Sequence, residues 1–317
     1  MPQHPLPVTP GTSTRPALDT DGPVPQQGGS GPAAGLGSDL VGFLSLDQLD
    51  RDLFRGWCHA GLPLRAFGGQ VAAQALTAAG RTTADGHHVH SLHGYFLRAG
   101  DTRQPILYHV DQLRDGRSYL SRRVTAVQGG VAIFTLSASF KLPERYGDRH
   151  PRIPDAPLPE ELPDPYEPWA AGDPEGFEMS QWRRVMAMRF VPDERQPPPG
   201  LNQQLVWLKS TEKLPDDPLL HVCALAYCSD LTLAPTAALD SERPRPLRDG
   251  PPRFFITSLD HAMWFHRPFR ADEWMLFAQR SPSAGDGRGL SLGEFWTREG
   301  TLVASVVQEA VLRPHRS

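Results

Sequence analysis

Cysteine is scarce in this chain: Cys58, Cys223 and Cys228 are the only three among 317 residues. An odd number, in no zinc or redox spacing, excludes a disulfide framework and reads as ordinary thiols of a reducing compartment. Long apolar runs are also missing. None reaches the roughly 18 residues that a membrane-spanning helix needs, so no membrane insertion is expected. Charge of one sign is missing as well. The formal net charge is −4 with acids and bases interspersed, so no broad basic face is implied and a general nucleic-acid binder is disfavoured. The first residues lack the apolar stretch of a secretory signal, and the final PHRS is not a peroxisomal SKL-type address. Cytoplasm is the expected location.

What the chain does have is 39% apolar and 21% charged residues, enough for two domains, each with its own core. Residues 1–38 are rich in Pro, Gly, Ser and Thr. They carry too little apolar surface to offset their ordering entropy and are expected to be disordered. A Pro-rich, acidic stretch over 143–176 reads as an extended linker lying over the surface. A third irregular stretch, 241–252, reads as a long loop. The expected plan is a tail (1–38), an N-terminal unit (39–143), a linker (144–174) and a C-terminal unit (175–317).

The two units share a phrase. HSLHGYFLRAGD (90–101) followed by a hairpin (114–143) matches SLDHAMWFHRPF (258–269) followed by another (285–314). Tyr95-Phe96-Leu97-Arg98 aligns with Trp264-Phe265-His266-Arg267, Asp115-Gly116-Arg117 with Asp286-Gly287-Arg288, and Gly129-Gly130 with Glu299-Gly300. A duplication of this size points to two similar subdomains. Ahead of each phrase lies an apolar helix. In FGGQVAAQALTAAG (67–80), Val71, Ala75 and Ala78 recur at helical spacing. In PLLHVCALAYCSDL (218–231), Leu219, Cys223, Ala226 and Asp230 do the same. The segments that follow alternate like strands and turn at Asp-Gly and Gly-Gly, strong hairpin signals. An apolar helix followed by a four-stranded antiparallel meander, repeated, is an α+β fold. It is a double hot-dog, two sheets each curled around a helix and joined into one.

Polar residues interrupt this apolar pattern in the second unit. Asp230 ends a buried helical stripe, where a carboxylate must be hydrogen-bonded or shifted in pKa. The helix pattern fits equally a frayed turn with Asp230 in solvent. Gln308 breaks the apolar positions Leu302, Ala304, Val306, Ala310 and Leu312, and a buried amide needs several partners. It fits equally a residue that ties down a strand. Ser258 sits in FFITSLDHAMWFHRPF, which reads as one strand, and most strand hydroxyls bond backbone. The cluster His87, His88, His90 and His93 lacks matching ligands, so no metal is expected. Ser258, Asp260 and His261 do not make a relay, because a strand sends Asp260 and His261 to opposite faces. GDGRG (285–289) lacks the strand–GxxxxGKS–helix context of a phosphate loop and reads as a hairpin turn.

Taken together, LFRGWC, FGGQVAAQAL, VHSLHGYFLRAGD, LRDGRSYLSRRV, LAYCSDL, LDHAMWFHRPF and LVASVVQEAVLR resemble the acyl-CoA thioesterase II family, the double hot-dog thioesterases typified by bacterial TesB. They cover most of 53–143 and 218–313, in the family's order. The resemblance implies hydrolysis of fatty acyl-CoA to free acid and CoA, with no cofactor and no covalent intermediate, in a homo-oligomer serving lipid metabolism. The family's Asp, Ser or Thr, and Gln match Asp230, Ser258 and Gln308. Where bacterial members can have Thr, Ser258 keeps the hydroxyl but loses the methyl that fixes its rotamer. On this reading Asp230 takes a proton from water that Ser258 and Gln308 align. Backbone N–H groups at Gly68 and Gly69 are candidates to face the thioester oxygen. Arg114, Arg122 and Arg267 are candidates for the CoA phosphates, or equally ordinary surface charge. Two other readings are a hot-dog enoyl-CoA hydratase, which needs an Asp/His dyad, and a silent acyl-CoA-binding protein.

Overall fold

Glycine-bearing turns and alternating strands assemble one antiparallel sheet around two helices. The computed structural model describes residues 39–59, 65–172, 182–196, 202–239 and 254–314. The tail 1–38 and the stretch 241–252 lie outside the described residues. In chain order the elements are α1 (Leu40–Leu44), β1 (Asp47–Asp50), β2 (Leu53–Gly56), α2 (Gly68–Gly80), β3 (His88–Phe96), β4 (Ile106–Asp115), β5 (Tyr119–Gln128) and β6 (Val131–Lys141). They continue through α3 (Tyr166–Gly172), α4 (Trp182–Val185), β7 (Met186–Phe190), β8 (Asn202–Ser210), α5 (Pro218–Ser229) and α6 (Leu233–Thr236). The last are β9 (Phe254–Ser258), β10 (Asp260–Phe265), β11 (Met275–Gly285), β12 (Arg288–Thr297) and β13 (Leu302–Pro314).

The strand order is β1-β2-β4-β5-β6-β3-β10-β13-β12-β11-β8-β7, with β9 also paired to β13. Neither unit is a simple meander. After its helix the chain returns to the far side of the hairpins, so β3 pairs with β6 and β10 pairs with β13. The two units then join through β3 and β10, with His93 opposite Ala262, Gly94 opposite His261 and Leu92 opposite Met263. Since Tyr95 corresponds to Trp264, His93 corresponds to Ala262, and a local two-fold axis passes through this pair. The result is a double hot-dog.

The register also corrects the motif alignment. Asp286 and Gly287, at φ 51° and 71°, form a two-residue turn between paired Gly285 and Arg288. In the first unit the bond from Gly116 N to the Tyr119 carbonyl makes Arg117-Ser118 the turn instead. Gly116 therefore corresponds to Gly285, two residues away from the Asp-Gly match. On that register Arg122 corresponds to Ser291, and their partners Ala138 and Gln308 correspond in turn.

Both central helices are almost wholly buried, which explains their mainly small and apolar composition. The buried amides Gln70 and Gln74 of α2 are satisfied by the Phe43 and Trp57 carbonyls. They run antiparallel and close together. A Cβ on Gly69 would lie 2.4 Å from the Tyr227 carbonyl, and one on Gly80 would lie 2.5 Å from Leu219. In place of two separate cores there is one continuous cluster, containing Leu76, Leu92 and Phe134 from the first unit and Leu225, Met263 and Phe277 from the second. Residues 218–236 reach a mean hydropathy of 1.2, enough by composition to cross a membrane, but they are mostly buried here. The Pro-rich linker is more than a surface strap. Leu162, Ile153 and Ala156 pack on Trp207, Leu276 and Trp296, the opposite face of strands whose Val206, Phe277 and Phe295 enter the main core. The Trp207 indole donates to the Pro157 carbonyl at 2.8 Å.

Candidate active site

Where α5 ends, three polar side chains meet. Asp230 is the C-cap of α5, and its carboxylate turns toward the start of α2. Gln308 lies on the inner face of β13 and is fully buried. Ser258 is the last residue of β9. The single strand expected around it is broken: Leu259 N bonds the Glu309 carbonyl between β9 and β10, and both strands pair with β13. That break brings Ser258 beside Ala310, two positions along β13 from Gln308.

The three form a closed triangle. Gln308 Nε2 donates to Asp230 Oδ1 at 2.6 Å and to Ser258 Oγ at 3.0 Å, and Ser258 Oγ donates to the same Oδ1 at 3.2 Å. Both amide hydrogens and the hydroxyl hydrogen are thereby used. Asp230 Oδ2, Gln308 Oε1 and the remaining Ser258 lone pair are left as acceptors. Burial pushes the Asp230 carboxyl up to about 6, while hydrogen bonds from Gln308, Ser258 and the Gly69 N–H pull the other way. The Gly69 contact places the N-terminal end of α2 against the carboxylate, where a helix favours negative charge. Gly68 permits the approach: a Cβ there would lie 2.7 Å from Asp230 Oδ2 and 3.1 Å from the Phe96 ring.

The other candidates separate. Gly68 and Gly69 reach the site, but the Gly69 N–H serves Asp230. Arg122 is not available to CoA. It is buried, and its guanidinium donates to Thr82 Oγ1 at 3.0 Å, to the Thr82 and Arg114 carbonyls at 2.9 and 3.2 Å, and to Asp115 at 2.6 Å. It also sits at the opposite end of α2, roughly 20 Å from Gly69 at 1.5 Å per residue. Arg267 is held by the Asp148 carboxylate and by the Leu302 and Arg149 carbonyls, so it pins the linker. Arg114 is exposed, near Arg122. Asp260 and His261 do take opposite faces. Asp260 accepts from Glu309 N at 2.7 Å, while His261 is buried with Nε2 2.8 Å from Ser229 Oγ. Burial lowers the His261 pKa to about 4, so it is neutral. Sequence reasoning missed the Gly69–Asp230 contact and the inward place of Ser291. The Gly-Gly at a helix start signalled the first. Nothing short of strand register signals the second.

A largely buried carboxylate that accepts from an amide and a hydroxyl at the end of a hot-dog helix is an arrangement that can activate water, as a hydrolase requires. Comparison with known proteins narrows this class. The acyl-CoA thioesterase family matches residues 187–311, and the acyl-CoA thioesterase N-terminal domain matches 55–141. Acyl-coenzyme A thioesterase 8 of rat (Rattus norvegicus) is 41% identical over 291 residues, covering 86% of this chain and 88% of that protein. Acyl-CoA thioesterase 2 of Haemophilus influenzae is 33% identical over 291 residues, covering 87% and 97%. The crystal structure of acyl-CoA thioesterase II TesB2 from Mycobacterium marinum superposes with a TM-score of 0.74 at 42% identity, covering 87% and 98%. The chain belongs to the acyl-CoA thioesterase II family and is a thioester hydrolase.

Proposed function

We propose that the chain hydrolyses fatty acyl-CoA by direct attack of water, with Asp230 as general base and no acyl-enzyme. The triangle carries this reading. A water beside it meets only acceptors, so it donates one hydrogen to Asp230 Oδ2 and the other to Gln308 Oε1 or Ser258 Oγ. Its lone pair is then turned outward to the thioester carbon. Asp230 takes the proton as the C–O bond forms. The oxyanion needs donors that Ser258 and Gln308 no longer have. With the Gly69 N–H on Asp230 and the Gln70 N–H on the Phe67 carbonyl, the Gly68 N–H at the start of α2 is the candidate. CoA thiolate leaves with a proton returned from Asp230.

A hydratase reading loses support from the histidine: His261 bonds Ser229 and leaves Asp230 without a dyad partner. A silent binder has no need of a base whose pKa is raised toward neutrality. The test is release of free thiol across a panel of acyl-CoA chain lengths. Enzyme-only background is expected to be low, because Cys58, Cys223 and Cys228 are all buried. Burial pushes the Cys58 and Cys223 thiols up to about 12. No thiol release with any chain length, by folded protein, would overturn the reading.

A cytoplasmic location, supported by three unbridged cysteines, and a role in fatty acid metabolism belong to the same proposal. Cell fractionation and acyl-CoA profiling of a deletion strain test them. A homo-oligomer is supported by Tyr95 and Trp264, counterparts across the local two-fold, which stand exposed on the outer face of the β3–β10 seam. Sedimentation of the wild type against Tyr95→Asp tests it. A monomeric wild type would end it.

A further inference from the structure

Beside the triangle, two buried polar atoms have no protein partner, and they belong to residues facing each other across neighbouring strands. Gln308 Oε1 is one and Ser291 Oγ is the other. Ser291 is fully buried, and the register of β12 and β13 sets it directly opposite Gln308. Paired residues leave the sheet on the same face with Cβ atoms roughly 5 Å apart. The first unit shows where this position aims. Its counterpart, Arg122, points at Thr82, just past the end of α2. In the second unit β12 packs against α6, the short helix that follows Asp230, so by the same local symmetry Ser291 lies on the side of the sheet that faces the end of α5.

The two atoms are chemically complementary. A serine hydroxyl has one hydrogen to donate, and an amide oxygen has only lone pairs. The structure draws no direct bond between them, and side chains that start roughly 5 Å apart can be joined through one water held between them. We propose that Ser291 is a positioning residue of the hydrolytic site, its hydroxyl donating through one bridging water to Gln308 Oε1 and holding the amide with its nitrogen turned to Asp230 and Ser258. The proposal rests on the catalytic reading of the triangle. A full amide flip is already opposed, since Oε1 against a carboxylate is repulsive. Ser291 restrains the smaller tilts that lengthen the bond from Nε2 to Oδ1. The Gln308 bond is the largest interaction that counters burial at Asp230. Loosening it therefore raises the carboxyl pKa.

Around Asp230, α2 presents Gly68 and Gly69, β3 presents Phe96, and β9 and β13 present Ser258 and Gln308. Among other titratable groups near the site, burial keeps Tyr227 and Cys228 on α5 and His261 on β10 neutral near pH 6. The carboxylate of Asp260, two residues from Ser258, accepts from the Glu309 N–H. A change in the acid limb of the pH–rate profile therefore reports on Asp230.

The experiment compares Ser291→Ala, Ser291→Thr, Gln308→Ala, Asp230→Asn and the Ser291→Ala/Gln308→Ala double variant in the full chain. It measures acyl-CoA hydrolysis against pH, together with melting temperature. Ser291→Ala is expected to fold, to lose about three- to tenfold in kcat at unchanged KM, and to move its acid limb upward by several tenths of a pH unit. Ser291→Thr restores both. In the Gln308→Ala background, Ser291→Ala is expected to have no further effect. Wild-type kcat and acid limb in Ser291→Ala, or a loss that persists in full without Gln308, would overturn the proposal. Should Ser291→Ala not fold, Ser291→Cys, close in volume with a weaker donor, carries the same expectations. Asp230→Asn separates the two readings. If it is active, the catalytic reading fails. If it is inactive beside an unaffected Ser291→Ala, only this inference fails.

Discussion

At one end of the paired helices α2 and α5, a largely buried carboxylate is shared by an amide and a hydroxyl. At the other end, the corresponding strand positions deliver a buried guanidinium. Three adjacent strands carry the contrast. The inner row His261–Gln308–Ser291 on β10, β13 and β12 corresponds to Leu92–Ala138–Arg122 on β3, β6 and β5. The backbone offers the same concavity twice, but the side chains do not. Arg122 fills its end and gives its donors to carbonyls and to Asp115, and a guanidinium cannot act as a base. Two equivalent frames thus yield one candidate site per chain, and the difference lies in a few side chains.

The first way to break this comparison is to remove the base. Asp230→Asn keeps the shape and is expected to lower kcat by about 10²–10⁴ with folding intact. Ser258→Ala and Gln308→Ala are each expected to cost as much or less, and the triple variant much less than the product of the three, since they hold one water as a unit. Steady-state hydrolysis of several acyl-CoA lengths decides it. Near-wild-type turnover by Asp230→Asn on every one would remove the functional half of the contrast.

The opposite end is expected to respond in stability and not in chemistry. Arg122→Met leaves the Thr82, Arg114 and Ser121 carbonyls without their donor, while Asp115, half-exposed, hydrates. The expected cost is about 2–4 kcal/mol, a fall in melting temperature of roughly 5–10 °C. Turnover per folded molecule should stay near wild type. A selective loss of turnover, or a large rise in KM with unchanged melting, would return Arg122 to substrate binding.

The sequence made much of this contrast legible, and its limits are instructive. Asp230, Gln308 and the apolar helices stood out because a polar group inside an apolar pattern has few physical explanations. The sheet order did not stand out. Whether β3 pairs with β4 or with β6 depends on where a helix lets the chain return, and local pattern carries no trace of that. Arg122 reads as a candidate phosphate ligand in the sequence because a basic residue in a strand looks the same whether it faces water or carbonyls. The two-residue slip between the Asp-Gly motifs hid its equivalence to Ser291. The two Asp-Gly dipeptides are identical, but only Asp286-Gly287 forms the turn of its hairpin.

Acid dependence sharpens the comparison further. Asp230 must be ionised to accept a proton, so kcat/KM is expected to fall about tenfold per unit below a pH of about 6. The same shift has a price in stability. Because the folded pKa lies above the usual 3.8, the favourable contribution of the protonated carboxyl is full below pH 4. It is lost as pH rises through about 6, a change of about 3 kcal/mol. Asp230→Asn removes this dependence. Its melting temperature relative to wild type should therefore rise by several degrees between pH 4 and pH 8. An equal difference at both pH values would mean that Asp230 titrates as an ordinary carboxylate.

The smallest structural change, one methyl added at each end of α2, tests the contrast most finely. At Gly68 a Cβ meets Asp230 Oδ2 at 2.7 Å, so the carboxylate must move away from the position in which Gln308 and Ser258 hold it. At Gly80 the new atom meets the Leu219 methyls at 2.5 Å, the far end of a side chain that can rotate. Gly68→Ala is expected to lower kcat by about tenfold to a hundredfold, with melting nearly unchanged. Gly80→Ala gains up to about 1 kcal/mol of helix propensity, which the displaced leucine offsets. Its melting temperature should stay within a few degrees of wild type and its kcat should not change. Parallel kinetics and thermal melts on the two variants measure the asymmetry directly. If both lower kcat alike, the effect travels through the helix as a rigid body and the close approach of α2 to Asp230 has no special role. If neither does, the carboxylate tolerates displacement, and the geometry of the triangle matters less than its composition.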